Sequence, residues 1–201
     1  MTSSLPDEFR PDNAAIILVD HQAGVAKWVH SQPQEAMAQN AGLLARLAVE
    51  MNIPLVVTTT VEDAGHTGTT LKAIRDAAPK AFAERIRRGG VMDAFADPAF
   101  EKAVAATGRN DLIFAGLTTD VCVYRTVRAA LGRSYRVAVA ADACGSPSTL
   151  VDAVSFTNLR ELRARVLSTM QAVTELYPDF GTEAGKRAQQ VAIGTLMAQA
   201  A

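Results

Sequence analysis

The sequence predicts an α/β protein. It reads as a doubly wound three-layer α/β/α sandwich on a mostly parallel sheet of about six strands, expected in the order 3-2-1-4-5-6. Three observations carry this expectation. Short apolar runs alternate with longer stretches of helical periodicity along most of the 201 residues. The runs are continuously apolar rather than alternating, as strands covered on both faces require. Asn52, Gly108 and Gly132 fall where helix C-caps belong, and Asp97-Pro98 reads as an N-cap followed by proline at the first helical position.

In chain order, Ala14–Val19 (AAIILV) is the first strand and stops at Asp20. Residues 33–50 carry Met37, Leu43, Leu44 and Leu47 at helical spacing. Leu55–Thr60 (LVVTTT) is β-branched and short, hence a strand. The Gly- and Thr-rich residues 64–70 form a surface loop, and a brief run ends at Ile86-Arg87. Strands follow at 112–115, Arg136–Ala140 and 165–168, with helices at 97–106, 121–131 and 148–163 between them. After Tyr177-Pro178 the pattern changes to an Ala- and Gln-rich helix with Val191, Ile193, Leu196 and Met197. We divide the chain into a domain at 1–177 and a C-terminal extension at 178–201, a candidate contact in a homo-oligomer.

Composition bounds the partners. The chain is 49% hydrophobic and 20% charged with a net charge of -1, so it lacks the basic field that nucleic acid or an anionic membrane selects. Two cysteines cannot build a secreted disulfide framework. The polar N-terminus has no signal-peptide core, and no apolar run reaches the ~18 residues of a membrane span. A cytoplasmic protein acting on a small molecule is the expectation.

In such a sheet, ligands gather beyond the carboxyl ends of the strands, where the order reverses. Asp20-His21-Gln22, Arg88-Gly89-Gly90 and Gly116-Leu117-Thr118-Thr119-Asp120-Val121-Cys122-Val123 lie there. Cys122 falls in the first turn of a helix, with Thr119 or Asp120 suited to cap it. The helix N-terminus would lower a thiol pKa, and its N–H groups would hold an oxyanion. A buried structural cysteine is the competing reading, and it suits Cys144. Asp20, desolvated at a strand end, is a candidate acid/base. Arg88 is one of three arginines in a four-residue run, which is usually a solvated charge cluster. Gln22 is a candidate substrate contact and Trp28 a candidate pocket wall. His21, His30 and His66 make no ligand pair, so neither a metal site nor a cofactor is expected.

GLTTDVCV resembles the nucleophile loop of the isochorismatase-like cysteine hydrolases, and AAIILVDHQAG their first strand. The YcaC-like subgroup is the nearest pattern, over roughly residues 14–177. The resemblance implies Cys122 as nucleophile and Asp20 as its acid/base. Most of the family has a lysine ahead of the triplet that is Asp93-Ala94-Phe95 here, and this chain has none nearby. The YcaC-like register puts arginine there, on Arg88, with Arg87 as the alternative. Arginine orients and stabilises a carboxylate but shuttles no proton. The resemblance further implies a cis peptide at Leu117–Thr118, an oxyanion hole from the Thr118 and Cys122 N–H groups, and homo-oligomers. The implied function is hydrolysis of a small amide, or a related C–N or ester bond, through a thioester. The alternative is a thiol-based redox sensor or small-molecule binder on the same fold.

Overall fold

A computed structural model of the chain describes residues 8–199. Six strands form one parallel sheet: β1 Ala14–Val19, β2 Leu55–Thr60, β3 Ile86–Arg88, β4 Asp111–Gly116, β5 Arg136–Ala140 and β6 Arg165–Leu167. Their order is β3-β2-β1-β4-β5-β6, as expected. The eight helices used here are α1 Gln34–Glu50, α2 Lys72–Ala77, α3 Pro79–Ala83, α4 Pro98–Ala106, α5 Tyr124–Gly132, α6 Thr149–Glu161, α7 Thr169–Leu176 and α8 Glu183–Gln199.

The topology follows from handedness. Right-handed crossovers moving from β1 to β2 and from β4 to β5 travel in opposite directions, so their helices cover opposite faces of the sheet. The central strands are then sealed on both sides: every residue of β1 and β4 is buried, which is why their runs are apolar apart from Asp111 at the start of β4. α1, α7 and α8 pack together, while α5 and α6 pack against each other. Ala188, Val191 and Ala192 of α8 are buried within their own chain, and α8 lies along α1. Leu196 and Met197 lie outside the described side chains.

Local chemistry moves some boundaries. Asp97 caps α4 by accepting from the Ala99 and Phe100 N–H groups, as its sequence position predicts. β6 ends at Leu167 because Ser168 leaves the sheet to cap α7, forming a capping box with Gln171. β3 runs one residue further than expected, to Arg88. The segment before α5 does not begin as a capped α-helix. Residues Thr119–Val123 make a π-helical turn with no side-chain cap, closed by the Val123 N–H on the Thr118 carbonyl at 3.2 Å. Neither Thr119 nor Asp120 caps it.

Candidate active site

β1 and β4 are the neighbouring strands whose connections leave in opposite directions, so a crevice opens beyond their carboxyl ends. Asp20 and the Cys122 turn follow those two strands directly. Gly116 allows the close approach. A Cβ at this position would lie 2.4 Å from the Val19 carbonyl oxygen and 2.9 Å from Val123 Cγ2. Only a residue without a side chain lets β4 run flush with the end of β1.

Asp20 leaves β1 through a left-handed backbone conformation (φ 54°), which aspartate tolerates better than most residues. Its N–H still donates to the Thr58 carbonyl at 3.0 Å, while its own carbonyl accepts from the Gln22 N–H at 2.7 Å. The carboxyl is therefore held at the strand end and sealed from water.

Arg88 enters from β3, whose alternation sorts the arginine run. Arg87 faces outward and pairs with Asp63, and Arg85 pairs with Glu62 at 2.6 Å. Arg88 turns inward. Its Nη2 donates to Asp20 Oδ2 at 2.5 Å, its Nε to Thr58 Oγ1 at 2.8 Å and its Nη1 to the Val91 carbonyl at 2.7 Å. The Thr58 hydroxyl in turn donates to the Ile86 carbonyl at 2.9 Å. Each guanidinium nitrogen thus has a protein acceptor.

The second carboxylate oxygen, Asp20 Oδ1, is buried without a hydrogen-bond partner. The Cys122 thiol is near enough to this carboxyl for each to shift the other's ionisation. Burial holds the Asp20 carboxyl above its ordinary range, and the Arg88 charge works against that rise. The thiol departs from expectation: its pKa is raised, not lowered. Burial is the largest cause and the neighbouring Asp20 carboxyl the next, together exceeding the lowering influence of Arg88. Cys122 therefore rests as a neutral thiol close to the Asp20 carboxyl. Cys122 is 6% exposed, and its Sγ contacts Met92 Sδ at 3.9 Å.

The Leu117–Thr118 peptide is cis. Around it, the N–H groups of Leu117, Thr119, Val121 and Val123 are taken by backbone carbonyls, whereas none of the loop's backbone hydrogen bonds uses the Thr118 N–H.

Gln22 ties the loop after β2 to the end of β1: its amide nitrogen donates to the Thr60 and Gly68 carbonyls at 3.1 and 2.7 Å, and its oxygen accepts the Thr60 N–H at 2.7 Å. Trp28 is 60% exposed. Cys144 is fully buried. Among the described residues, no three His, Cys, Asp or Glu side chains are grouped to hold a metal ion, and no helix is long and apolar enough to cross a membrane. Sequence reasoning missed Met92, Thr58 and the steric role of Gly116. A glycine closing an otherwise apolar strand was the available signal for the last.

A cleft of about 630 Å³ lies elsewhere, between Val49, Ile53, Lys80 and Ala103 near the amino ends of β2 and β3. Neither Asp20 nor Cys122 lines it.

A parallel sheet with an aspartate, an arginine and a cysteine at its switch point defines a class. The isochorismatase domain model matches residues 14–171, and the chain belongs to that family. Within it, the similarity is to YcaC proteins. The chain is 31% identical over 169 residues to the probable hydrolase YcaC of Escherichia coli K12, covering 84% of this chain and 80% of that protein. The structure of YcaC from Pseudomonas aeruginosa, with hexane-2,5-diol and covalent acrylamide, superposes with a TM-score of 0.90 at 30% identity, over 98% of this chain and 96% of the other. The E. coli YcaC structure, described as an octameric hydrolase of unknown specificity, gives 0.85 at 29% identity over 92% and 89%.

Proposed function

We propose that the protein is a cysteine hydrolase that cleaves a small amide, or a related C–N or ester bond, through a thioester on Cys122. The observation that carries this reading is the placement of a buried thiol beside a carboxylate that is itself clamped by a buried arginine. Family membership and the YcaC relative described as a hydrolase support it.

The proton moves first. As the Cys122 sulfur attacks the carbonyl carbon, its proton passes to the Asp20 carboxylate, so the thiolate exists only as the new C–S bond forms. The raised thiol pKa suits this coupled transfer, because no free thiolate has to persist beside a carboxylate. The Thr118 and Cys122 N–H groups receive the oxyanion. Asp20 then returns the proton to the leaving nitrogen, and the C–N bond breaks to leave a thioester. Asp20 deprotonates a water that attacks the thioester, releasing the acid and restoring the thiol. Arg88 keeps Asp20 charged and aimed, and takes no part in proton traffic.

The E. coli relative is octameric, and we propose that this chain is also a homo-oligomer that acts on a small molecule. Trp28 and Leu150 are exposed apolar side chains suited to such contacts.

The test is a panel of small primary amides and activated esters, assayed with wild type and Cys122→Ala. Turnover that disappears in a folded Cys122→Ala protein supports the reading. Activity that survives the substitution overturns it. Facile peroxide oxidation of Cys122 with no turnover on any substrate favours the sensor instead.

A further inference from the structure

The hydrolase reading leaves open what governs access to Cys122. Met92 lies in the short connection between β3 and the turn at Ala94–Ala96, and its Sδ touches Cys122 Sγ at 3.9 Å. The thioether is a weak acceptor, so this sulfur–sulfur contact holds the thiol only loosely. The exposures set the order from outside to inside: Met92 is 43% exposed and Cys122 6%. The residue that touches the nucleophile is thus itself open to solvent, whereas the nucleophile is nearly closed off.

The connection is pinned on both sides of Met92. Before it, the Val91 carbonyl accepts from Arg88 Nη1 at 2.7 Å. After it, the Ala94 N–H donates to Thr126 Oγ1 at 3.0 Å, and the Asp93 carboxylate accepts the Phe95 N–H at 2.9 Å. The backbone is fixed while the side chain is not. Methionine, unbranched and with three rotatable side-chain bonds, can swing without disturbing either anchor.

The same network limits the ligand's charge. Three of the five Arg88 N–H donors are spent within the protein and the residue is only 3% exposed, so little of its charge is offered to a substrate carboxylate. An uncharged group against a thioether is the compatible arrangement.

We infer that Met92 is the specificity-determining residue of the site: its thioether covers Cys122 and selects substrates with an uncharged, short acyl group that fits when it moves aside. This rests on the proposed nucleophile, but the test separates the two ideas. Acylation by p-nitrophenyl acetate and p-nitrophenyl hexanoate is followed by p-nitrophenolate release in wild type, Met92→Ala and Met92→Leu. Alkylation of Cys122 by iodoacetamide is followed in parallel by mass spectrometry.

Wild type should prefer acetyl. Met92→Ala should raise the hexanoyl-to-acetyl rate ratio by about tenfold or more, the scale on which pocket methylenes discriminate. Met92→Leu, of similar volume, should restore a ratio close to wild type. An unchanged ratio in Met92→Ala overturns the inference. If neither ester acylates any of the three proteins, the hydrolase reading fails, and iodoacetamide decides on Met92 alone. Faster labelling of Cys122 in Met92→Ala, with wild-type speed in Met92→Leu, supports the cover; equal labelling in all three overturns it.

Discussion

Asp20 and Arg88 form an ion pair with 2.5 Å between Oδ2 and Nη2, and both side chains are shut away from water, at 0% and 1% exposure. Such a pair carries a large desolvation cost and is poor evidence of stability in itself. Its use here is positional: the fork that binds Asp20 also binds Thr58 and the Val91 carbonyl, so one side chain joins β1, β2 and the Met92 connection.

Removing the cation should be severe. Arg88→Ala leaves a buried carboxylate uncompensated, which typically costs about 3–5 kcal/mol. Guanidinium chloride denaturation measures this. Arg88→Lys keeps the charge but cannot make the three-way fork, so it should fall between wild type and alanine in stability and lose turnover. A fully stable Arg88→Ala protein would mean that Asp20 is neutral at rest.

Gly116→Ala tests the junction of β1 and β4. The added methyl group meets backbone and the Val123 side chain within a fixed sheet, so overpacking of about 1–3 kcal/mol is expected. Turnover should fall further than stability does, because the displaced elements are those carrying Asp20 and Cys122. Thermal melts and initial rates on the same sample check this, and a loss confined to stability would argue against it.

Asp20→Asn should divide reactivity from acidity. Without the carboxylate one cause of the raised thiol pKa disappears, so thiolate absorbance should titrate at lower pH than in wild type. Turnover should nevertheless drop by about 10²–10⁴, the range general acid–base groups supply. A thiol that titrates higher in the variant would contradict the charge arrangement.

His21 provides a pH signature of stability. Its Nε2 is bound to the Ala143 carbonyl at 2.8 Å, and burial lowers its pKa from 6.5 to about 4. Between those values the unfolded chain binds a proton that the folded chain does not. Stability from this group is therefore complete above the unfolded pKa and is lost as pH falls toward 4, by about 3 kcal/mol in all. Asp20 acts in the opposite sense: its raised pKa adds stability at acid pH that is lost as pH rises. Comparing wild type with His21→Gln isolates the histidine, because the variant keeps a side-chain donor but does not titrate. Denaturation midpoints should fall more steeply in wild type on acidification, and parallel curves would contradict this.

Much of the fold was legible because its determinants are local. The apolar run Ala14–Val19 and the Asp97-Pro98 junction state their structures within a few residues. The Cys122 turn was legible as a motif but misjudged in its electrostatics. A helix N-terminus can be read from sequence, whereas burial and a carboxyl brought from another strand cannot, and these two are what raise the thiol pKa. The same limit applies to Gln22, whose hydrogen bonds go to Thr60 and Gly68, far along the chain. Arg88 could be separated from Arg87 only by knowing where β3 ends, since one residue of register exchanges the inward and outward faces.

The central claim, a thioester on Cys122, is tested most directly by quenching the protein in acid shortly after mixing with p-nitrophenyl acetate and mapping the adduct by mass spectrometry. The account predicts an acetyl group on Cys122, none on Cys144, and sharply reduced acetylation of Cys122 in Asp20→Asn. Acetylation of both cysteines at similar rates, or p-nitrophenolate release with Cys122 unmodified throughout, would contradict it.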